Sequence, residues 1–417
     1  MKKIVQKFGG TSLDSAKKRK RVAEIIKKSR EQNLRPVVVV SAIGRRGEPY
    51  ATDSLIDFAT GNDLKINKRE KDLLMSCGEI ISAVVLVQIL KSMGIKGRAL
   101  TGAQAGILTD NNFGAAQIKE VNPEYIEELL EQDILPVVAG FQGITTQGQI
   151  TTLGRGGSDT TASILGSVLK AEYVEIFSDV KGVMTADPLK VNNARVLKYL
   201  SYKEICEMAY HGARVIHPRA AEIAKNNNLS LKVKSVFDEK SGTVIGANNS
   251  DRDSSNLCFH EQENYENQDH GVSQKDRLIT AVTSRSDIFF VEINVEENRV
   301  LDIFTSLRKS EISADFINIR TDLVSFIVNS EHRSQLDKIL SSSNWKYIIR
   351  NDVAKVSIVG GGITGQPGIM AQLASALNDA GIDIIQATDS SITISCLVKK
   401  CREKKALNVL HRAFKLE

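Results

Sequence analysis

Short runs of β-branched and other apolar residues alternate with stretches whose apolar positions fall three and four apart through the first 236 or so residues. Strands are predicted at Ile4 to Phe8, Pro36 to Ala42, Ile134 to Phe141, Tyr173 to Ser178 and Leu229 to Val236, with helical patterns between them. Val37-Val38-Val39-Val40 and Val137-Val138-Ala139 are apolar without alternation, as strands covered by helices on both faces must be. The expectation is an α/β domain over residues 1–246 built on an open sheet.

Residues 247–277 break the pattern, being polar, rich in Asn, Asp, Ser and Glu, and aperiodic; they read as a linker. His260 and His270 lie inside it without metal-ligand partners at usable spacing. Beyond it the sequence repeats. Glu311 to Phe316 and Leu323 to Phe326 return 70 positions later as Gly381 to Ile385 and Thr393 to Cys396. Each copy reads as strand, helix, strand, strand, helix, so two small βαββαβ modules are expected at 278–350 and 351–417. Neither encloses much core alone, and they should pair with each other or with a second subunit.

Two glycine turns change this picture from architecture to chemistry. Leu153-Gly154-Arg155-Gly156-Gly157-Ser158-Asp159-Thr160 precedes an apolar, small-residue helix. Glycines let backbone amides approach a ligand, and a helix starting near Ser158 aims about half a positive charge at a phosphate or carboxylate there. Arg155 adds a two-pronged donor for the same groups. Lys7-Phe8-Gly9-Gly10-Thr11-Ser12 follows the first strand and precedes a helix at Ser15 to Glu31. An ordinary strand-to-helix turn would account for that element alone; two such turns point to a nucleotide enzyme. Neither is a GxxxxGK[ST] loop. In open sheets of this class ligands bind outside the carboxyl ends of the strands, where both turns fall.

Composition adds exclusions. The chain has 417 residues, a formal charge of +5 and 25% charged residues, with basic and acidic runs mixed along it, so a nucleic-acid surface gains no support. Lys2 and Lys3 precede a segment that turns charged again at Lys7, too early for a signal-peptide core, and no stretch reads as long enough to span a bilayer; a cytoplasmic protein is expected. Five cysteines, Cys77, Cys206, Cys258, Cys396 and Cys401, show no CxxC spacing and read as reduced and structural, Cys77 as a small buried apolar group. Gly360-Gly361-Gly362-Ile363-Thr364-Gly365 matches GxGxxG, but only 52 residues follow it, too few for a dinucleotide domain.

Lys7 to Ser12, Val40-Ser41-Ala42-Ile43-Gly44, Ser76-Cys77-Gly78-Glu79, Thr152 to Thr160, Phe177 to Pro188 and the C-terminal repeat together resemble the aspartokinases, over nearly the whole chain. The resemblance implies an amino-acid-kinase-like open sheet sandwiched by helices, followed by two ferredoxin-like ACT modules. Gly44 to Ser54 is most similar to the short, diaminopimelate-sensitive bacterial type. The implied reaction moves the γ-phosphoryl of ATP, with Mg²⁺, onto the side-chain carboxylate of L-aspartate. That carboxylate is already a nucleophile, so the site must align two anions and neutralise spreading charge.

By resemblance Lys7 and Asp159 are catalytic. Thr52, Glu79, Arg155 and Ser158 contact aspartate, with Glu79 at its ammonium. ATP is met by Lys7, Gly9, Gly10, Ser41, Ser178, Asp179, Val183, Met184, Asp187, Arg214 and Val215. On its own, Glu79 reads as a helix charge and Asp159 as an acid in a first helical turn, worth about 0.3–1 kcal/mol. Arg214, Met184 and Leu189 stand where Lys, Tyr and Arg are frequent in the family, which bears on nucleotide preference; Lys190 is the neighbouring cation. An effector, meso-diaminopimelate, lysine or threonine, is implied near Asp315, Ile369, Met370, Asp383, Ser390 and Ser391, and a homodimer or larger assembly through the ACT modules. Glu296 to Arg299 replaces the usual Pro-Gly of the first ligand loop. Two alternatives remain: a kinase of the same fold acting on glutamate, carbamate or UMP, and an inactive amino-acid sensor.

Overall fold

The computed structural model describes residues 1–61, 64–213, 215–246, 278–295, 300–343 and 345–417. The expected linker with His260, His270 and Cys258, the loop Glu296 to Arg299, and Arg214 lie outside the described residues. The chain divides into two compact units. One comprises 1–183, 196–209 and the described residues from 215 to 246; the other comprises 184–195, 210–213 and the described residues from 278 onward.

An eight-stranded sheet forms the spine of the first unit. Lys2–Phe8 lies inside it, flanked in parallel by Leu34–Val40 and Val174–Ser178. The chain then extends the sheet on one side through Leu135–Ala139 and on the other through Leu231–Ser235. The first strand is therefore the switch point at which a ligand crevice opens in such sheets. Val37 to Val40 and Val137 to Ala139 are fully buried, in agreement with their unbroken apolar pattern. Ser15 caps the helix Ala16–Glu31 by accepting from the Lys18 amide.

The helix Lys68–Ser92 departs from expectation. Its mean hydropathy of 2.1 over the most apolar stretch makes it long and apolar enough to cross a membrane, contrary to the sequence reading that no stretch qualifies. Here one of its faces packs into the unit through Met75, Ala83, Leu86 and Leu90, and that face also carries Asp72, Ser76 and Glu79. Cys77 is exposed, not buried, because Ser76, Gly78 and Glu79 occupy the inward positions around it; Cys401 is exposed as well, while Cys206 and Cys396 are buried.

In the second unit, Ile288–Asn294, Asp315–Ile319, Leu323–Asn329 and Lys346–Arg350 form one four-stranded antiparallel sheet, in the order second-third-first-fourth. This is the ferredoxin-like arrangement. Val353–Val359, Gln386–Asp389 and Thr393–Lys399 build the second sheet in the same order, but its fourth strand is Ala281–Arg285, paired antiparallel with Val353–Val359. A first module beginning at 278 is thereby corrected. The strand ahead of the first module completes the second, since a sheet edge is closed by whichever strand packs there, whatever its place in the chain.

The 70-residue repeat survives in detail at the helix ends. Val300–Lys309 and Ile369–Asp379 are each followed by a left-handed residue, Glu311 (φ 56°) and Gly381 (φ 65°). The Ile312 amide then donates to the Leu307 carbonyl and the Ile382 amide to Leu377.

Met184–Arg195 is woven into this unit. Ala186 and Val191 join the core of the second sheet, Thr185 Oγ1 lies 2.8 Å from His411 Nε2, and the Val282 amide donates to the Thr185 carbonyl. Lys190 is not a spare cation, because its ammonium meets Glu403 at 2.7 Å and Ser284 at 3.1 Å. The GxGxxG match has a packing cause: a Cβ on Gly360 would stand 2.1 Å from the Leu278 carbonyl oxygen. Gly360→Ala should therefore cost about 1–3 kcal/mol, read as a lowered urea midpoint; an unchanged midpoint contradicts the packing explanation.

Candidate functional site

A cavity of about 360 Å³ opens in the first unit over the ends of the adjacent strands Lys2–Phe8 and Leu34–Val40. Both glycine turns border it. Gly10 is required there, since a Cβ would stand 2.3 Å from the Ala42 carbonyl oxygen. In the second turn Gly156 caps the helix Gly157–Val168 with φ 68°, and a Cβ on it would fall 2.1 Å from the His217 ring. The helix begins one residue before the expected start.

Lys7 and Asp159 meet across the cavity wall, Nζ to Oδ1 2.6 Å, with each side chain 12% exposed. One side chain comes from a strand end and the other from a first helical turn. Ser41 and Gly10 border the same space, as do Thr52, at the start of the helix Thr52–Thr60, and Ser158. Gly9 adjoins them: a Cβ there would lie 3.7 Å from Lys7 Nζ. Arg155 is exposed on the turn and lines the cavity.

Glu79 is only 3% exposed and also lines the cavity. Its Oε1 accepts the Ala42 amide at 3.2 Å, and its Oε2 has no hydrogen-bond partner among the described residues. Burial pushes its pKa up from 4.5 to about 8, against the smaller opposing effect of the Ala42 amide. Burial therefore favours the neutral form of this carboxyl in the ligand-free protein.

The remaining expected residues are dispersed. Val183 is buried, with its amide on Thr243 Oγ1 at 2.8 Å; Asp179 is on the surface, paired with Arg45, and Ser178 donates to Asp179. Val215 is half-buried. Met184 and Asp187 belong to the second unit, where Asp187 accepts the Leu189 amide at 2.9 Å. Among the expected effector residues, the Ile369 side chain is part of the second sheet's core, while Met370, Asp383, Ser390 and Ser391 are exposed. Asp315 stands on the other sheet with its carboxylate 2.7 Å from the buried Lys355 ammonium. The sequence reading missed His217, packed over Gly156 with its pKa lowered by burial, and Asp72. Neither sits in a recognisable motif.

Comparison with known proteins decides the family. The amino acid kinase family model matches residues 2–235 and an ACT domain model matches 348–412. Aspartokinase 1 of Bacillus subtilis is 42% identical over the full length of both chains, and the aspartokinase of Geobacillus stearothermophilus is 37% identical over 99% of this chain and 97% of its own. The chain belongs to the aspartokinase family. As an aspartokinase it phosphorylates the side-chain carboxylate of L-aspartate from ATP. E. coli aspartokinase III, solved in complex with aspartate and ADP, shares the fold: TM-score 0.77 at 22% identity, covering 98% of this chain and 99% of that one.

The raised Glu79 pKa links stability to pH. Folded Glu79 holds a proton that the unfolded chain releases above about 4.5, so this stabilisation is present at low pH and lost as pH rises through about 8. Over that interval the urea midpoint of the ligand-free aspartokinase should fall relative to Glu79→Gln, by the equivalent of a few kcal/mol in all. Parallel pH profiles of the two proteins would show Glu79 to be ionised already.

Proposed function

We propose that the cavity between the glycine turns is where the phosphoryl group moves, with the aspartate ammonium on Glu79 and its side-chain carboxylate on Arg155, assisted by Ser158 and Thr52. The observation that carries this reading is the buried Glu79 carboxyl with one unsatisfied oxygen, on the wall of a cavity that also exposes a guanidinium and an ammonium. An α-amino acid with a second carboxylate complements such a set in both sign and order. A substrate ammonium would draw Glu79 into its ionised form and make the interaction charge-assisted.

The ATP phosphates would lie along Lys7, Gly9, Gly10 and Ser41, with further nucleotide contacts at Ser178, Asp179, Val183 and Val215. Lys7, held by Asp159, would stabilise the charge that spreads over the transferring group. No base is needed, because the attacking group is a carboxylate. Among the described residues no cluster of three or more His, Cys, Asp or Glu is placed to hold a metal, so the residues suit Mg²⁺ carried on phosphate oxygens and water, with Asp159 the acid facing that end. Bound there, Mg²⁺ supplies charge neutralisation between the two anions.

Regulation by an end-product amino acid at the ACT modules fits the exposed positions Met370, at the start of the helix Ile369–Asp379, and Ser390 and Ser391, in the hairpin whose Ser391 carbonyl accepts from Thr364. Ile317 and Ile319, exposed on the edge strand Asp315–Ile319, suit a homodimer through the first module. A cytoplasmic location accords with this metabolism.

The test is hydroxamate formation from purified protein with Mg-ATP and L-aspartate, with and without meso-diaminopimelate, lysine or threonine. Aspartate-dependent hydroxamate is expected. Arg155→Lys, which replaces a fork by a point charge, should lower kcat/KM for aspartate about 100-fold or more. Unchanged turnover in that variant removes Arg155 from the site, and hydroxamate with glutamate in place of aspartate reassigns the substrate.

A further inference from the structure

The helix Lys68–Ser92 carries a second buried acid two turns before Glu79. Asp72 is fully buried, seven residues from Glu79 and on the same inward face, about 10 Å away along the helix axis. It does not reach the cavity lining. Its Oδ2 accepts two backbone amides, Thr152 at 2.7 Å and Gly114 at 2.9 Å, and its Oδ1 accepts the Thr152 hydroxyl at 2.8 Å.

These partners are the two supports of the arginine-bearing turn. Thr152 ends the strand Ile150–Thr152, three residues before Arg155. Gly114 is the surface on which Gly154 rests, its carbonyl oxygen 3.3 Å from where a Gly154 Cβ would be. The same helix is pinned at two further points, Ser76 by Gln142 Nε2 at 3.1 Å and Glu79 by the Ala42 amide. One helix thus bears Glu79 near its middle and, two turns earlier, grips the base of the Arg155 turn.

We propose that Asp72 is a positioning residue that fixes the span between Glu79 and Arg155, and through that span the preference for a four-carbon over a five-carbon amino diacid. The proposal rests on the assignment of Glu79 and Arg155 to aspartate. A site that clamps both ends of a short substrate is sensitive to its own length, and a displacement of about 1 Å costs on the order of 100-fold. Three hydrogen bonds to one buried carboxylate hold the distance. Nothing else among the described residues donates to or accepts from both Thr152 and Gly114.

The experiment compares Asp72→Ala, Asp72→Asn and Thr152→Val in the full chain, reading KM for aspartate and for ATP, and glutamate as competitor and substrate. Asp72→Ala should raise aspartate KM on the order of 10- to 100-fold, leave ATP KM within about twofold, and narrow the aspartate-to-glutamate preference. Asparagine can place its carbonyl oxygen on both amides and turn its NH₂ toward the Thr152 hydroxyl, so Asp72→Asn should restore most of the loss. Thr152→Val removes one donor at nearly constant volume and should act in the same direction, several-fold. A folded Asp72→Ala protein whose two KM values change together, or only whose active fraction falls, overturns the proposal. If Asp72→Ala does not fold, an unchanged aspartate KM in Thr152→Val does so. Glu79→Gln and Arg155→Lys run alongside: unchanged aspartate KM in those variants means that the site assignment itself has failed.

Discussion

The ion pair between Lys7 and Asp159 ties the catalytic unit together. Lys7 sits at the end of the first strand and Asp159 in the first turn of the helix after the second glycine turn, 152 residues later, and their contact brings both turns to one cavity. Each charge is nearly withdrawn from water, so each depends on the other for compensation. The positive end of the helix that carries Asp159 faces the same space, which suits it to anionic substrate groups. Arg155 and Glu79 add a guanidinium and a buried carboxyl to the wall that carries this pair. The chemistry proposed for this wall is alignment and neutralisation, for which these groups are suited in kind.

The second unit is joined to this chemistry by the chain itself. The strand Val174–Ser178 leads through Val183 to Met184–Arg195, and that segment is packed among Leu407, Leu410 and Val282 and bonded to Glu403, Asn408 and His411. The segment packed against the second ACT sheet is thus continuous in the chain with Ser178 to Val183 of the first unit. Allosteric regulation needs such an element, one whose position both ligands can bias.

Much of this was legible in the sequence, and the exceptions share a cause. The strand cores, the first helix, the two glycine turns and the 70-residue repeat are local signals, and each is found within a residue or two of its expected place. Gly10, Gly156 and Gly360 are glycines for reasons of close approach, but the sequence shows only that they are glycines, so Gly360 to Gly365 imitated a dinucleotide motif until Leu278 was seen against it. The transfer of Ala281–Arg285 to the second sheet, the grip of Asp72 on Thr152 and the pairing of Lys190 with Glu403 join residues 70 to more than 200 positions apart. No periodicity encodes such contacts. Asp72 and Glu79 also sit in a helix whose most apolar stretch matches a membrane span, a pattern that masks the acids it carries.

The central claim is that Glu79 receives the ammonium of aspartate. It is tested most directly by calorimetric titration of L-aspartate into the protein near pH 7 in two buffers of different ionisation enthalpy, which counts protons exchanged on binding. With a Glu79 pKa of about 8 in the free protein, binding should release close to one proton per aspartate, and Glu79→Gln should abolish that release. Aspartate binding with no proton released from the unaltered protein would contradict the account.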